Sequence, residues 1–185
     1  VRHDRLARSD RAGQHEDVRQ ARPGAAMTGT PRSPIGCRLF ALAARRQGVR
    51  TPDLIAAASV TADAAVLAFE HVPGLHTFDT MDPSELDDAT IADLWEQVRR
   101  LHRAGIAHEE LHAGNLALDA DGRVWLLGLE NGEIAADLMT LRIDDGELLV
   151  TTGLIVGADR AVRGALQELT AQRLGEALPL LQTIA

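Results

Sequence analysis

Ile91, Leu94, Val98 and Leu101 fall at intervals of three and four residues and run into Gly105, and two short apolar runs around a turn signal follow. No other feature restricts the fold as much. The spacing predicts an amphipathic helix over about 88–104, whose apolar face has to be buried against a second element. Gly105 supplies its stop. Further on, LALD (116–119) and RVWLLGL (123–129) flank Ala-Asp-Gly, which predicts a β-hairpin. A helix and a hairpin joined by an irregular segment predict an α+β fold.

The rest of the chain fits that class. CRLFALAARRQ (37–47) reads as a helix ended by Gly48, with Pro52 beyond it. DLIAAAS (53–59) and AAVLAFE (64–70) read as a second hairpin, broken by His71-Val72-Pro73-Gly74. From about 133 the pattern is helical, through 144–156 and then in two helices after Gly157 and around Gly175. With aromatics at 3% and no Tyr, Leu, Ala, Val and Ile have to supply most of the packing. The one cysteine, Cys37, excludes an internal disulfide framework and a Cys-based metal cluster. It reads as a small residue on a helix face.

Charge is divided unevenly. All nineteen basic residues are Arg. Residues 1–50 hold eleven of them against four acids, a balance of +7, and the remainder holds eight against twenty-three, a balance of −15. Residues 1–34 combine many Arg with little apolar periodicity, which predicts a disordered basic arm. The arm lacks interleaved aromatics, so no nucleic-acid partner is expected. No run reaches the roughly 18 apolar residues that span a bilayer, and no secretory signal is recognised, so a cytoplasmic protein is expected.

HEELHAGN (108–115) supports two incompatible chemistries. Taken literally, His108-Glu109-Glu110-Leu111-His112 is the H-E-x-x-H of a zinc hydrolase. Glu133, opening an E-x-x-x-D that resembles the second helix of the gluzincin metalloproteases, would be the third ligand. That chemistry requires both imidazoles on one face of an unbroken helix. Gly105 and Gly114 bracket the segment and oppose one, each costing about 1 kcal/mol of helix relative to Ala.

With its flanks, the same stretch reads Leu101-His102-x-x-Gly105-Ile106-x-His108-x-x-Leu111-x-x-x-Asn115-Leu116, then Gly122-x-Val124-x-Leu126-Leu127-Gly128. This resembles the catalytic loop and following hairpin of the protein-kinase-like superfamily, in its aminoglycoside-phosphotransferase and lipopolysaccharide-kinase branch. The resemblance covers about 35–185. It is also similar to the kinase-like domain that precedes a membrane segment in some actinobacterial proteins. It implies a truncated small lobe and hinge over 35–74, then a mainly helical large lobe over 75–185. AVLAFEHVPG (65–74) would run into the hinge, where Glu70, His71 and Val72 would line an adenine. Asp144 would brace the catalytic loop from below.

The same resemblance implies that much of the chemistry has been lost. Kinase catalysis is positioning and charge neutralisation by a lysine, a glycine-rich loop, two metal-binding residues and a proton-accepting aspartate. Glu110 takes the aspartate's place, one methylene longer, beside His108. Gly128 stands where the metal-binding aspartate of the D-F-G turn belongs, and Glu130 is two positions late. There is no lysine, and Gly24 and Gly29 lack the flanking strands of a phosphate-covering loop. Asn115 is the one residue left for Mg²⁺. No cofactor is expected, and a non-catalytic binding or regulatory module follows. The alternatives are an atypical phosphotransferase using Glu110, and the zinc hydrolase using His108, His112 and Glu133. A two-stranded small lobe would leave an unpaired edge, which is expected to be covered by a protein partner or by the N-terminal arm. His102 and His112 read as surface residues.

Overall fold

The computed structural model describes residues 34–59 and 65–180. Apart from Pro34, the N-terminal arm lies outside the described residues, as does the turn of the first hairpin. α1 (Pro34–Arg46) packs on β1 (Leu54–Ser59), which pairs antiparallel with β2 (Ala65–Phe69). Ala57 faces Leu67 and Ala58 faces Val66, with an irregularity between Leu54 and Ala56. Among the described residues this sheet has two strands.

β3 (His76–Thr77) follows, and then α2 (Asp88–Arg103). Asp87 caps α2, its carboxylate accepting from Thr90 N at 2.7 Å. The expected stripe is buried: Ile91, Leu94, Val98 and Leu101 are at most 1% exposed. Gly105, at φ 67°, turns the chain out of the helix. β4 (Ile106–Ala107) precedes the 108–115 loop, whose end is a 3₁₀ turn at Ala113–Asn115. The hairpin β5 (Leu116–Leu118) and β6 (Val124–Leu126) comes next, with β3 added along β5. At two residues, β3 is too short to leave a periodic signal in the sequence.

A 3₁₀ turn at Leu129–Asn131 leads into β7 (Glu133–Ile134), which pairs with β4. Then come α3 (Leu138–Val156), α4 (Ala158–Glu168) and α5 (Ala171–Ala177). The helix expected from about 133 therefore begins five residues later. Residues 133–134 complete a strand pair, Ala135 takes a left-handed φ of 60°, and Asp137 caps α3 by accepting from Thr140 N.

One hydrophobic cluster joins Phe40, Ala44 and Val49 to Leu94 and Trp95 of α2, Leu126 of β6 and Leu148 of α3. Arg50 secures the junction. Its amide donates to Gln97 Oε1 at 3.0 Å, its carbonyl accepts from Leu126 N at 2.8 Å, and its guanidinium pairs with Asp93. The chain is α+β. Among the described residues no helix is long and apolar enough to cross a membrane.

Candidate functional site

The 108–115 loop owes its shape to α3. Asp144, fully buried, accepts from His108 N at 2.6 Å and Glu109 N at 2.9 Å. One turn on, Glu147 accepts from Leu111 N at 2.8 Å. A spacing of three residues puts both carboxylates on one helix face. Amides that a helix over 106–114 would have bonded internally are captured by side chains instead. Glu109 sits at φ 65°, a left-handed conformation that costs a non-glycine residue about 1–2 kcal/mol. Burial pushes the Glu147 carboxyl above its ordinary pKa, only partly offset by the Leu111 amide.

His108 is a brace. Its ring is fully buried, with Nε2 donating to the Leu127 carbonyl at 2.8 Å and Nδ1 accepting from Glu110 N at 3.3 Å. Burial holds its pKa below the ordinary value. Leu127 N in turn donates to the Asn115 carbonyl at 2.8 Å, so the exit of β6 is stitched to both ends of the loop.

The remaining polar groups of the loop face one another. Asn115 Nδ2 donates to the Glu110 carbonyl at 3.0 Å, lies 3.5 Å from Glu110 Oε2, and is 3.1 Å from His112 Nε2. Asn131 Nδ2 donates to the same Glu110 Oε2 at 2.8 Å. Gly128 closes the group at φ 74°; a Cβ placed there would lie 2.6 Å from Asn115 Nδ2. Gly132 is equally confined, since a Cβ would overlap the Phe40 ring.

Glu70, His71 and Val72 follow β2 at a distance in sequence from this group. Glu70 N donates to the Asp53 carbonyl at 2.8 Å, and its carboxylate lies 3.8 Å from Arg45. His71 is exposed and Val72 half-buried. Among the described residues no hydrogen bond joins the three to the loop.

No protein-family model matches this chain, and no curated protein matches it. The residues themselves carry the functional argument.

The helix required for zinc is absent from 106–115. His108 and His112 share no helix face, and both ring nitrogens of His108 are engaged. Glu133 belongs to a strand opposite Ala107. No three His, Cys, Asp or Glu side chains gather at metal-binding distance among the described residues. His112 is exposed, as expected, but His102 is not a surface residue. Its side chain is 1% exposed, between Asp144 and Asp145. Sequence reading also passed over Glu147, Asn131, Asp145 and Arg173. The first stands three residues after Asp144, a spacing that could have shown it. The last has no local signature, because its partners lie on other helices.

Proposed function

We propose that this chain is a kinase-like binding module that does not transfer phosphate. The observation that carries this reading is the closed group at the loop. Glu110 and Asn115, at the positions matching proton acceptor and metal ligand, are bonded to each other and to Asn131 and His112. Gly128, at the position of the second metal ligand, leaves no room for a side chain while Asn115 stays in place. The order helix, braced loop, hairpin supports the kinase-like comparison, and so does the carboxylate of Asp144 under the loop. The balance of −15 beyond residue 50 opposes a polyphosphate.

The partner in this reading is a protein segment adding a strand to the β1–β2 sheet. Neither LIAAAS nor AVLAF contains the charge or proline that commonly guards an edge, and Ile55 and Val66 are exposed.

Calorimetry of the full chain with millimolar Mg²⁺-ATP tests the non-catalytic reading. The expected result is no magnesium-dependent binding, with adenosine alone binding weakly through the backbone of Glu70–Val72. Tight magnesium-dependent binding that disappears in Glu110→Ala or Asn115→Ala would establish the alternative, a phosphotransferase using Glu110.

A further inference from the structure

Beneath the loop, four ionisable side chains meet that the proposed binding role does not use: His102 at the end of α2, Asp144 and Asp145 on α3, and Arg173 on α5. The His102, Asp144 and Asp145 side chains are at most 1% exposed. Arg173 Nη2 lies 2.9 Å from His102 Nδ1. A guanidinium can only donate, so this Nδ1 carries a lone pair and the ring proton sits on Nε2, which donates to Asp144 Oδ2 at 3.1 Å. Arg173 Nε donates to Asp145 Oδ2 at 2.6 Å.

This arrangement orphans one atom. Asp145 Oδ1 is buried and accepts no hydrogen bond among the described residues. It faces the same His102 Nδ1 from 3.4 Å, within reach of an ion pair but out of line for a hydrogen bond. An unsatisfied buried carboxylate oxygen is costly. The lone pair of that nitrogen is already taken by Arg173. If Nδ1 gains a proton it can no longer accept from Arg173, and Asp145 Oδ1 becomes its acceptor. The two hydrogen-bond patterns exclude each other.

We propose that His102 is a proton-operated latch: neutral, it holds Arg173 on α5; protonated, it turns to Asp145 and frees Arg173 Nη2. Arg173 also lines a pocket of about 280 Å³ between α3 and α5, with Leu138, Leu141, Arg142, Thr170 and Glu176 among others. Protonation therefore changes the hydrogen bonding of a residue that lines that pocket, while Asp144 keeps its hold on the His108 and Glu109 amides in both states.

The surroundings of His102 favour its protonated form. Burial alone lowers its pKa, but the neighbouring carboxylates of Asp144 and Asp145 outweigh burial and raise it. Arg173 is the cation directly against the ring. On the same helix, Arg99 interacts with Asp145 and Arg173, and its buried Nε has no hydrogen-bond partner among the described residues. Glu168, at the end of α4, interacts with Arg99 and Arg103. His108 lies across Asp144 and is held below its ordinary value by burial.

A ring-¹⁵N NMR titration of the full chain, with His102 assigned through the wild-type backbone, tests the latch. At high pH the ring should be the Nε2–H tautomer. It should take up a proton on Nδ1 in one step, and the Arg173 Nε–H resonance should move with the same midpoint. Asp145→Asn should lower that midpoint by about one pH unit or more, because the charge that attracts the second proton is gone. A neutral ring protonated on Nδ1, an Arg173 resonance indifferent to the His102 midpoint, or a ring that never titrates between about pH 5 and 9 would overturn the proposal. If Asp145→Asn does not fold, the wild-type titration decides alone.

Discussion

Replacing Asp144 by Asn keeps the side-chain shape and removes acceptor capacity where three donors converge. Oδ2 receives His108 N at 2.6 Å and His102 Nε2 at 3.1 Å, and Oδ1 receives Glu109 N at 2.9 Å, all around a side chain with no solvent exposure. Asn offers one carbonyl oxygen and one NH₂, so at least one buried N–H must face another N–H whichever way the amide lies. Hydrogen bonds to a charged group contribute about 1.5–3 kcal/mol each, and an orphaned buried donor costs about 1–3 kcal/mol. Removing one partner of a buried ionic group costs about 3–5 kcal/mol in total. At the lower end, and with about 2–4 °C of Tm per kcal/mol for a chain of this size, the melting temperature should fall by about 6–12 °C. Glu109 should also relax from φ 65°, since the bond to Oδ1 helps to hold it there. Thermal denaturation measures the first effect. Amide hydrogen exchange measures the second, with the His108 and Glu109 amides accelerating more than those of α3. A variant melting within about 2 °C of wild type, with both amides still protected, would refute the bracing argument.

Gly128→Ala should cost about 1–3 kcal/mol in urea denaturation, from the left-handed backbone at φ 74° and the approach to Asn115. The cost should shrink in an Asn115→Ala background; additive costs would show that the two positions do not meet. Stability should peak near the ordinary histidine pKa of 6.5 and decline on both sides. His102, raised on folding, contributes stability that is present below 6.5 and lost as pH rises through its folded pKa. His108, lowered on folding, contributes stability that is present above 6.5 and lost as pH falls towards its folded pKa. A urea midpoint climbing steadily from about pH 5 to 8 would contradict this pairing. At the hairpin turn, Asp119 accepts from Asp121 N, Arg123 N, Arg123 Nε and Trp125 Nε1. Burial raises its pKa, but these bonds prevail and lower it to about 2. Asp119→Ala should therefore destabilise the chain by about 1–3 kcal/mol at neutral pH, and an unchanged urea midpoint would count against it. The wild-type contribution of Asp119 should persist above 3.8 and be lost as pH falls through about 2.

Sequence alone determined the elements whose signals are local. The stripe Ile91, Leu94, Val98, Leu101 marks a helix face because period 3.6 is read from neighbours on the chain, and the Ala-Asp-Gly turn sets the β5–β6 hairpin for the same reason. Gly105 and Gly114 already opposed a helix through 108–112. Tertiary structure decided what distant partners supply. β3 and β7 are two-residue strands, too short for periodicity, and form only because β5 and β4 lie beside them. His102 carries a polar side chain on a helix, which reads as a surface position until Asp144 and Arg173 arrive from α3 and α5 to hydrogen-bond it, with Asp145 3.4 Å from the ring. Whether a polar residue is buried depends on whether a partner exists to meet it, and those partners lie 42, 43 and 71 residues further along the chain.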